Sequence, residues 1–167
     1  MPLSQSILKR EISSAFNNIL KIKDKTPIGV IHPQAAEALA SAYDNYVISG
    51  QPLAGVLKIS VPPVRATLVP FLSAPSLAGF VPGLSAYWSP VIWTGPGFIP
   101  TNPTIALPSP TLANDILSVL RDGVQLRLSS TDVADRIASL LHTYTTSITV
   151  TATTTSVPPV TSTIPIV

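Results

Sequence analysis

The stretch STDVADRIASLLHTYTTSITVTATTTSVPPV, residues 130–160, changes its period part-way along. Its first half reads as a helix. Ser130 or Thr131 can act as N-cap, Asp132 and Asp135 sit where the positive helix end favours carboxylates, and Val133, Ile137, Leu140, Leu141 and Tyr144 recur on one face. From Ser147 to Thr155 the period falls to two, with Ile148, Val150 and Ala152 alternating against Thr149, Thr151 and Thr153. β-Branched residues on both faces suit a pleated strand, and Pro158-Pro159 ends it. A helix running directly into a strand predicts an α+β fold.

The same plan stands near the start of the chain. Pro33 suits the first position of a helix, Ala36, Leu39, Ala40, Tyr43 and Val47 form its apolar stripe, and Gly50 can cap its end. Val56 to Val61 then alternates as a strand until Pro62-Pro63. SVPPV occurs at residues 60–64 and again at 156–160, AEALAS (36–41) aligns with ADRIAS (134–139), and Tyr46 aligns with Tyr144. An amphipathic helix precedes each copy. Leu3, Ile7, Leu8, Ile12 and Phe16, continued by Ile19 and Leu20, mark the first; Leu112, Ile116, Leu117 and Leu120 mark the second, capped at Thr111 and stopping near Gly123 before a short strand, Val124 to Leu128. The expectation is two similar helix-helix-strand halves, residues 1–69 and 109–167, from an internal duplication. Chance matching in a chain of biased composition is the alternative.

Residues 70–108 separate the halves and hold six of the ten aromatic residues: Phe71, Phe80, Tyr87, Trp88, Trp93 and Phe98. Proline recurs so often here that helix is unexpected, which leaves extended chain and turns. A polar linker would not carry two tryptophans. The favoured reading is an extended arm docked on a neighbour, because stiff backbone loses little entropy on binding and aromatic rings supply contact area. The alternative is a flap over the chain's own core.

Charge distribution supports docking. Of 167 residues only 18 are charged, 10 basic and 8 acidic, or 11% against roughly 25% in ordinary domains. Those 18 leave two segments bare: nothing is charged between Arg65 and Asp115, or after Arg136. Proline (18), threonine (17) and serine (19) are abundant, yet with 46% hydrophobic residues, a mean hydropathy of +0.43 and a net charge of +2 the chain is too apolar for disorder. The prolines of the first bare segment rule out a membrane-spanning helix, and the opening MPLSQSILKR lacks the basic-then-apolar pattern of a signal peptide.

Chemistry is sparse. Cysteine is absent, which removes disulfides and thiolate sites, and His32 and His142 are the only histidines. Neither accompanies a G-x-S-x-G elbow, no H-x-x-x-H pair exists, and the carboxylates lack the spacing of a calcium loop. The glycine turns at 79–83 and 95–97 lack a phosphate-binding frame. Lys21, Lys23 and Lys25 are interrupted by Asp24, which suits a solvated loop better than a nucleic-acid face. No enzyme activity, cofactor or metal is expected, and no nucleic-acid or membrane partner.

MPLSQSILKREISSAF (1–16), then AAEALASAYDNYVISGQ (35–51), then an alternating β segment together resemble short virion structural proteins of tailed bacteriophages. The resemblance covers about the first 60 residues and, through the repeat, part of the C-terminal half. It implies a non-enzymatic component of the neck, tail or baseplate, located in the virion, present in many copies and partnered by itself and by other virion proteins. The chain departs from that pattern in its duplication and in its proline-aromatic insertion. The expected interface is Phe71, Phe80, Tyr87, Trp88, Trp93 and Phe98 from the arm, with Ile148, Val150, Val157 and Val160 from the last strand and its Pro-Pro end. A homo-oligomer within a symmetric assembly is the leading expectation, and a glycan-binding adhesion module is the alternative.

Overall fold

In chain order the elements are α1 (Gln5–Leu20), α2 (Pro33–Ser49), β1 (Lys58–Val61), a 3-10 turn (Arg65–Thr67), α3 (Leu77–Trp88), β2 (Ile92–Thr94), β3 (Pro103–Thr104), α4 (Pro110–Gln125), α5 (Ser130–Ser147), β4 (Thr149–Thr153) and β5 (Thr161–Pro165). They are taken from a computed structural model in which residues 3–20, 33–50, 57–70, 77–104 and 110–166 are described. The fold mixes helices with small antiparallel sheets, the α+β class expected.

Helix α1 packs against both α2 and α5, and α5 packs in turn on α4. The stripes read from the sequence supply these contacts. Leu8 and Ile12 of α1, Leu39 and Val47 of α2, and Ile137 and Leu141 of α5 are buried in one core. Small residues let the helices approach closely: Ala36, Ala40, Ala134 and Ala138 are all buried. The outer rim of α1 and α5 is joined by polar contacts, with Lys9 on Asp135 at 2.9 Å and Ser130 donating to Asn17 Oδ1 at 2.6 Å.

The cap of α5 lies one residue earlier than expected. Ser129 is the N-cap; its hydroxyl accepts from the Asp132 amide at 3.1 Å and donates to the Asp132 carboxylate at 2.6 Å. Serine and aspartate so placed satisfy an orphan amide and put negative charge at the positive helix end. Nor is there a strand at 124–128. Helix α4 continues through Gly123 to Gln125 and ends in a turn with Arg127 at φ +50°, the left-handed conformation common after helix ends. Gly123 acts as a contact point, since a Cβ there would lie 2.8 Å from Val133 Cγ2 of α5.

The largest correction concerns residues 70–108. The described stretch 77–104 of this segment is not an extended arm: Leu77 to Trp88 is helical, with Pro82 inside the helix. An interior proline removes one backbone hydrogen bond and costs about 3 kcal/mol. Burial of Tyr87 and Trp88 one to two turns later outweighs that cost, since an aromatic side chain withdraws about 150–250 Å² from water, worth roughly 4–6 kcal/mol at about 25 cal/mol per Å². Pro90 then stops the helix, because the residue before a proline avoids helical geometry.

After α3 the chain enters the sheets. β2 pairs antiparallel with β1 and places Ile59 opposite Trp93, with a bulge before Val61. Trp93 also exchanges two backbone hydrogen bonds with Thr101, at 2.8 and 3.0 Å. The second sheet has the order β3-β4-β5, all antiparallel. The expected strand at Ser147 to Thr155 is therefore present as β4, but it is a central strand and not an edge. The two SVPPV copies have different fates: the first leads from β1 into the 3-10 turn, and the second, with a cis Val157-Pro158 bond, forms the turn that returns the chain as β5.

Candidate docking surface

The two charge-free segments meet in space. Ile99 donates its amide to Thr153 O and Thr155 donates to Gly97 O, each at 2.9 Å, so residues 97–99 extend the β3 side of β4. Thr101 Oγ1 donates to Thr151 O at 2.8 Å, and Asn102 Nδ2 donates to Val91 O at 3.1 Å. These bonds fix the GPGF turn beside the VPPV hairpin. The ridge at this end of the sheet is two-sided: Val160, 56% exposed and opposite Thr154, shares the face of Phe98, whereas Ile99, 48% exposed and beside Thr153, projects from the other face, with Val157 at 97% exposure in the turn and Pro96, Pro100, Pro158 and Pro159 exposed around them. Phe98 is half-buried beneath the ridge and bridges to Thr154. No charged residue lies in either of its segments.

Below the ridge the sheet has two unlike faces. Val150 and Ala152 of β4 are fully buried, with Ile164 of β5 packed beside them. The opposite face carries Thr149, Thr151 and Thr153, with Thr163 and Thr161 paired to the last two. Thr153 and Thr161 share a hydroxyl hydrogen bond of 3.1 Å. An alternation of period two thus gives a sheet with one apolar side and one side of hydroxyls.

The expected interface residues divide into three groups. Val157 and Val160 are exposed on the ridge and Phe98 lies under it. Tyr87, Trp88 and Trp93, with Ile148 and Val150, are buried in the chain's own core, so these five do not form a surface of the free chain. The flap reading, not the arm reading, describes those three aromatics. Phe71 lies outside the described residues, as does His32, and of Phe80 only the backbone, within α3, is described. Ile99 and the whole of β5 are additions that sequence reasoning misses. The signal for β5 is nonetheless present in TSTIPI (161–166), where the alternation resumes after the prolines.

His142 lies on α5, half-buried, where Nδ1 shares a hydrogen bond with Tyr46 Oη from α2. The neighbouring contact is Tyr43 Oη to Thr145 Oγ1 at 2.8 Å. Thr145 Oγ1 gives its one hydrogen to Leu141 O, also at 2.8 Å, so Tyr43 is the donor in that pair. Tyr87 donates to Asp44 Oδ1 at 2.9 Å. Burial raises the Tyr43, Tyr46, Tyr87 and Tyr144 phenols well above the ordinary tyrosine value, which keeps all four protonated and neutral. The group joins α2, α3 and α5. Tyr144 Oη, Trp88 Nε1 and Trp93 Nε1 are buried with no hydrogen-bond partner, a cost of about 1–3 kcal/mol each that is smaller than the gain from burying an aromatic ring.

Among the described residues no three His, Asp or Glu side chains converge as a metal site, and no helix is long and apolar enough to cross a membrane. An open depression along α1 is lined by Ser6, Lys9, Arg10, Ser13, Asn17 and Thr131, but Lys9 is already paired with Asp135. No protein-family model, curated protein or solved structure matches the chain.

Proposed function

We propose that the chain is a non-enzymatic structural subunit of a multi-copy particle, of the kind that forms the neck, tail or baseplate of a tailed phage, and that it docks through the ridge formed by Ile99, Val157 and Val160. The observation that carries this reading is the ridge itself. Two segments without charge are pinned together by backbone hydrogen bonds and still leave their branched apolar side chains in solvent. Protein interfaces deplete charge at their centre, and an ordered apolar patch loses little entropy on contact. The glycan-binding alternative receives less support, because none of the described aromatic rings is exposed as a stacking platform for sugar.

The proposal includes the duplication. α1-α2-β1 and α4-α5-β4 follow the same order, and Tyr46 and Tyr144, equivalent in the alignment, both belong to the buried group between α2 and α5. The copies have diverged most at their strands: β5, Val157 and Val160 belong to the second, while Ile99 of the ridge comes from the segment between the copies.

The test is sedimentation of the purified chain beside Ile99→Asp and Val157→Asp, which alter only exposed positions. Expected are a multi-copy species for the parent, its dissociation in both variants, and circular dichroism unchanged. A stable monomer that binds immobilised glycans would overturn the reading.

A further inference from the structure

Register decides which backbone groups of β5 remain available. Thr154 donates to Val160 O at 2.9 Å and Ile166 donates to Ile148 O at 3.2 Å, so the even-numbered residues of β5 point their amides and carbonyls at β4. The odd-numbered residues, Thr161, Thr163 and Pro165, then point theirs away. Among the described residues nothing pairs with that outer edge, and Thr161, Ser162, Thr163 and Pro165 are exposed. Pro165 is tolerated in the strand because its missing N–H would have faced outward, where β4 does not need it. Natural edge strands are commonly blunted by charge, whereas this edge has none, and its only proline stands at the end.

We propose that β5 pairs with β5 of a second copy of this chain, antiparallel about a two-fold axis through Ser162. The inference rests on the assembly reading above and adds the partner and the register to it. With that centre, Thr161 lies opposite Thr163 of the second copy and Thr163 opposite its Thr161. Each pair exchanges two N–H···O bonds, so every outward threonine amide and carbonyl is satisfied while Pro165 of each copy falls outside the paired region. Moving the axis to Thr163 or to Thr161 puts an outward threonine opposite a proline, which has no amide to give. The side chains agree with the same centre. Val160, 56% exposed, comes to lie opposite the partly buried Ile164 of the second copy, and branched apolar pairs of this kind stabilise antiparallel strands. On the other face the threonine rows of the two copies become continuous. A self-pair suits an uncharged edge, because an edge carrying charge would repel its own copy. Two three-stranded sheets would merge into one sheet of six.

The register can be read by cross-linking, because the chain contains no cysteine. In the proposed pair Ser162 faces its own symmetry mate at a non-hydrogen-bonded position, with Cα atoms about 4.5 Å apart, inside the disulfide range of about 4.4–6.8 Å. Ser162→Cys should form a covalent dimer on mild oxidation, while Val160→Cys, facing Ile164 instead of itself, should not. Thr163→Pro removes an outward amide, as Pro165 already does, and should reduce the assembly in sedimentation to what the ridge alone holds, with circular dichroism unchanged. If association is undiminished in Thr163→Pro and the Ser162→Cys variant forms no covalent dimer, the pairing is wrong; loss of that association in Ile99→Asp would then leave the ridge reading standing. A chain that remains monomeric at every concentration overturns both.

Discussion

Replacing Thr145 by valine should cost more than replacing its partner Tyr43 by phenylalanine, although each removes one hydroxyl from the same hydrogen bond. Both residues are buried, Thr145 completely. Because Thr145 Oγ1 donates to Leu141 O, it is the acceptor for Tyr43. Thr145→Val therefore leaves a phenolic O–H in the core with its acceptor gone, a loss of about 1–3 kcal/mol. Tyr43→Phe leaves the threonine still bonded to its own helix, so only the net value of one hydrogen bond is lost, about 0.5–1.5 kcal/mol. The double variant has no orphan, and its cost should fall below the sum of the two. Urea unfolding of the four proteins measures this. With m of about 1–3 kcal/mol per M, a loss of about 2 kcal/mol moves the midpoint by roughly 1 M, and m itself should stay constant. Equal single costs, or strict additivity, would refute the donor assignment in the Tyr43–Thr145 pair.

Two further outcomes follow from the packing. All four tyrosines are buried with phenols held above the ordinary value, so their neutral form is preferred in the folded chain. That preference contributes fully below the unfolded value of 10.0 and turns into a loss of stability as pH rises above it. Phenolate absorbance should then appear in one cooperative step together with loss of circular dichroism, and early titration of individual tyrosines would contradict their burial. Gly50→Ala should destabilise by about 1–3 kcal/mol, since the new Cβ would stand 2.9 Å from Leu3 Cδ2 and 3.0 Å from Ile166 Cγ2. An unchanged thermal midpoint would show that neither side chain is seated there.

Period and caps are the legible parts of this sequence. Helix α2 begins at Pro33 and buries the stripe Ala36, Leu39, Ala40, Tyr43 and Val47, as periodicity alone requires. Proline is a poorer guide when treated as a general terminator. Pro82 sits inside α3 because the cost of one broken bond is local, while the gain from burying Tyr87 and Trp88 depends on contacts distant in sequence. Pro158-Pro159 does end a strand, but as the turn of a hairpin that the sequence pattern does not announce. Gly123 is a point of contact with Val133 and not the helix stop that its residue type suggests. The docking surface is half legible. Freedom from charge marks the right two segments, but composition cannot say which of their apolar side chains a chain keeps for itself, and Trp93 and Val157 look alike until the fold separates them.

The absence of charge on the ridge and on β5 has a kinetic consequence. Charged interfaces attract their partners over a distance, whereas a surface of valine, isoleucine, proline and threonine exerts no such pull. Encounter should proceed at the unassisted rate of roughly 10⁵–10⁶ M⁻¹ s⁻¹, and salt should change it little. Such a surface selects its partner only at contact, by shape and by backbone hydrogen bonding, so local concentration of subunits rather than electrostatic guidance would set how fast copies come together.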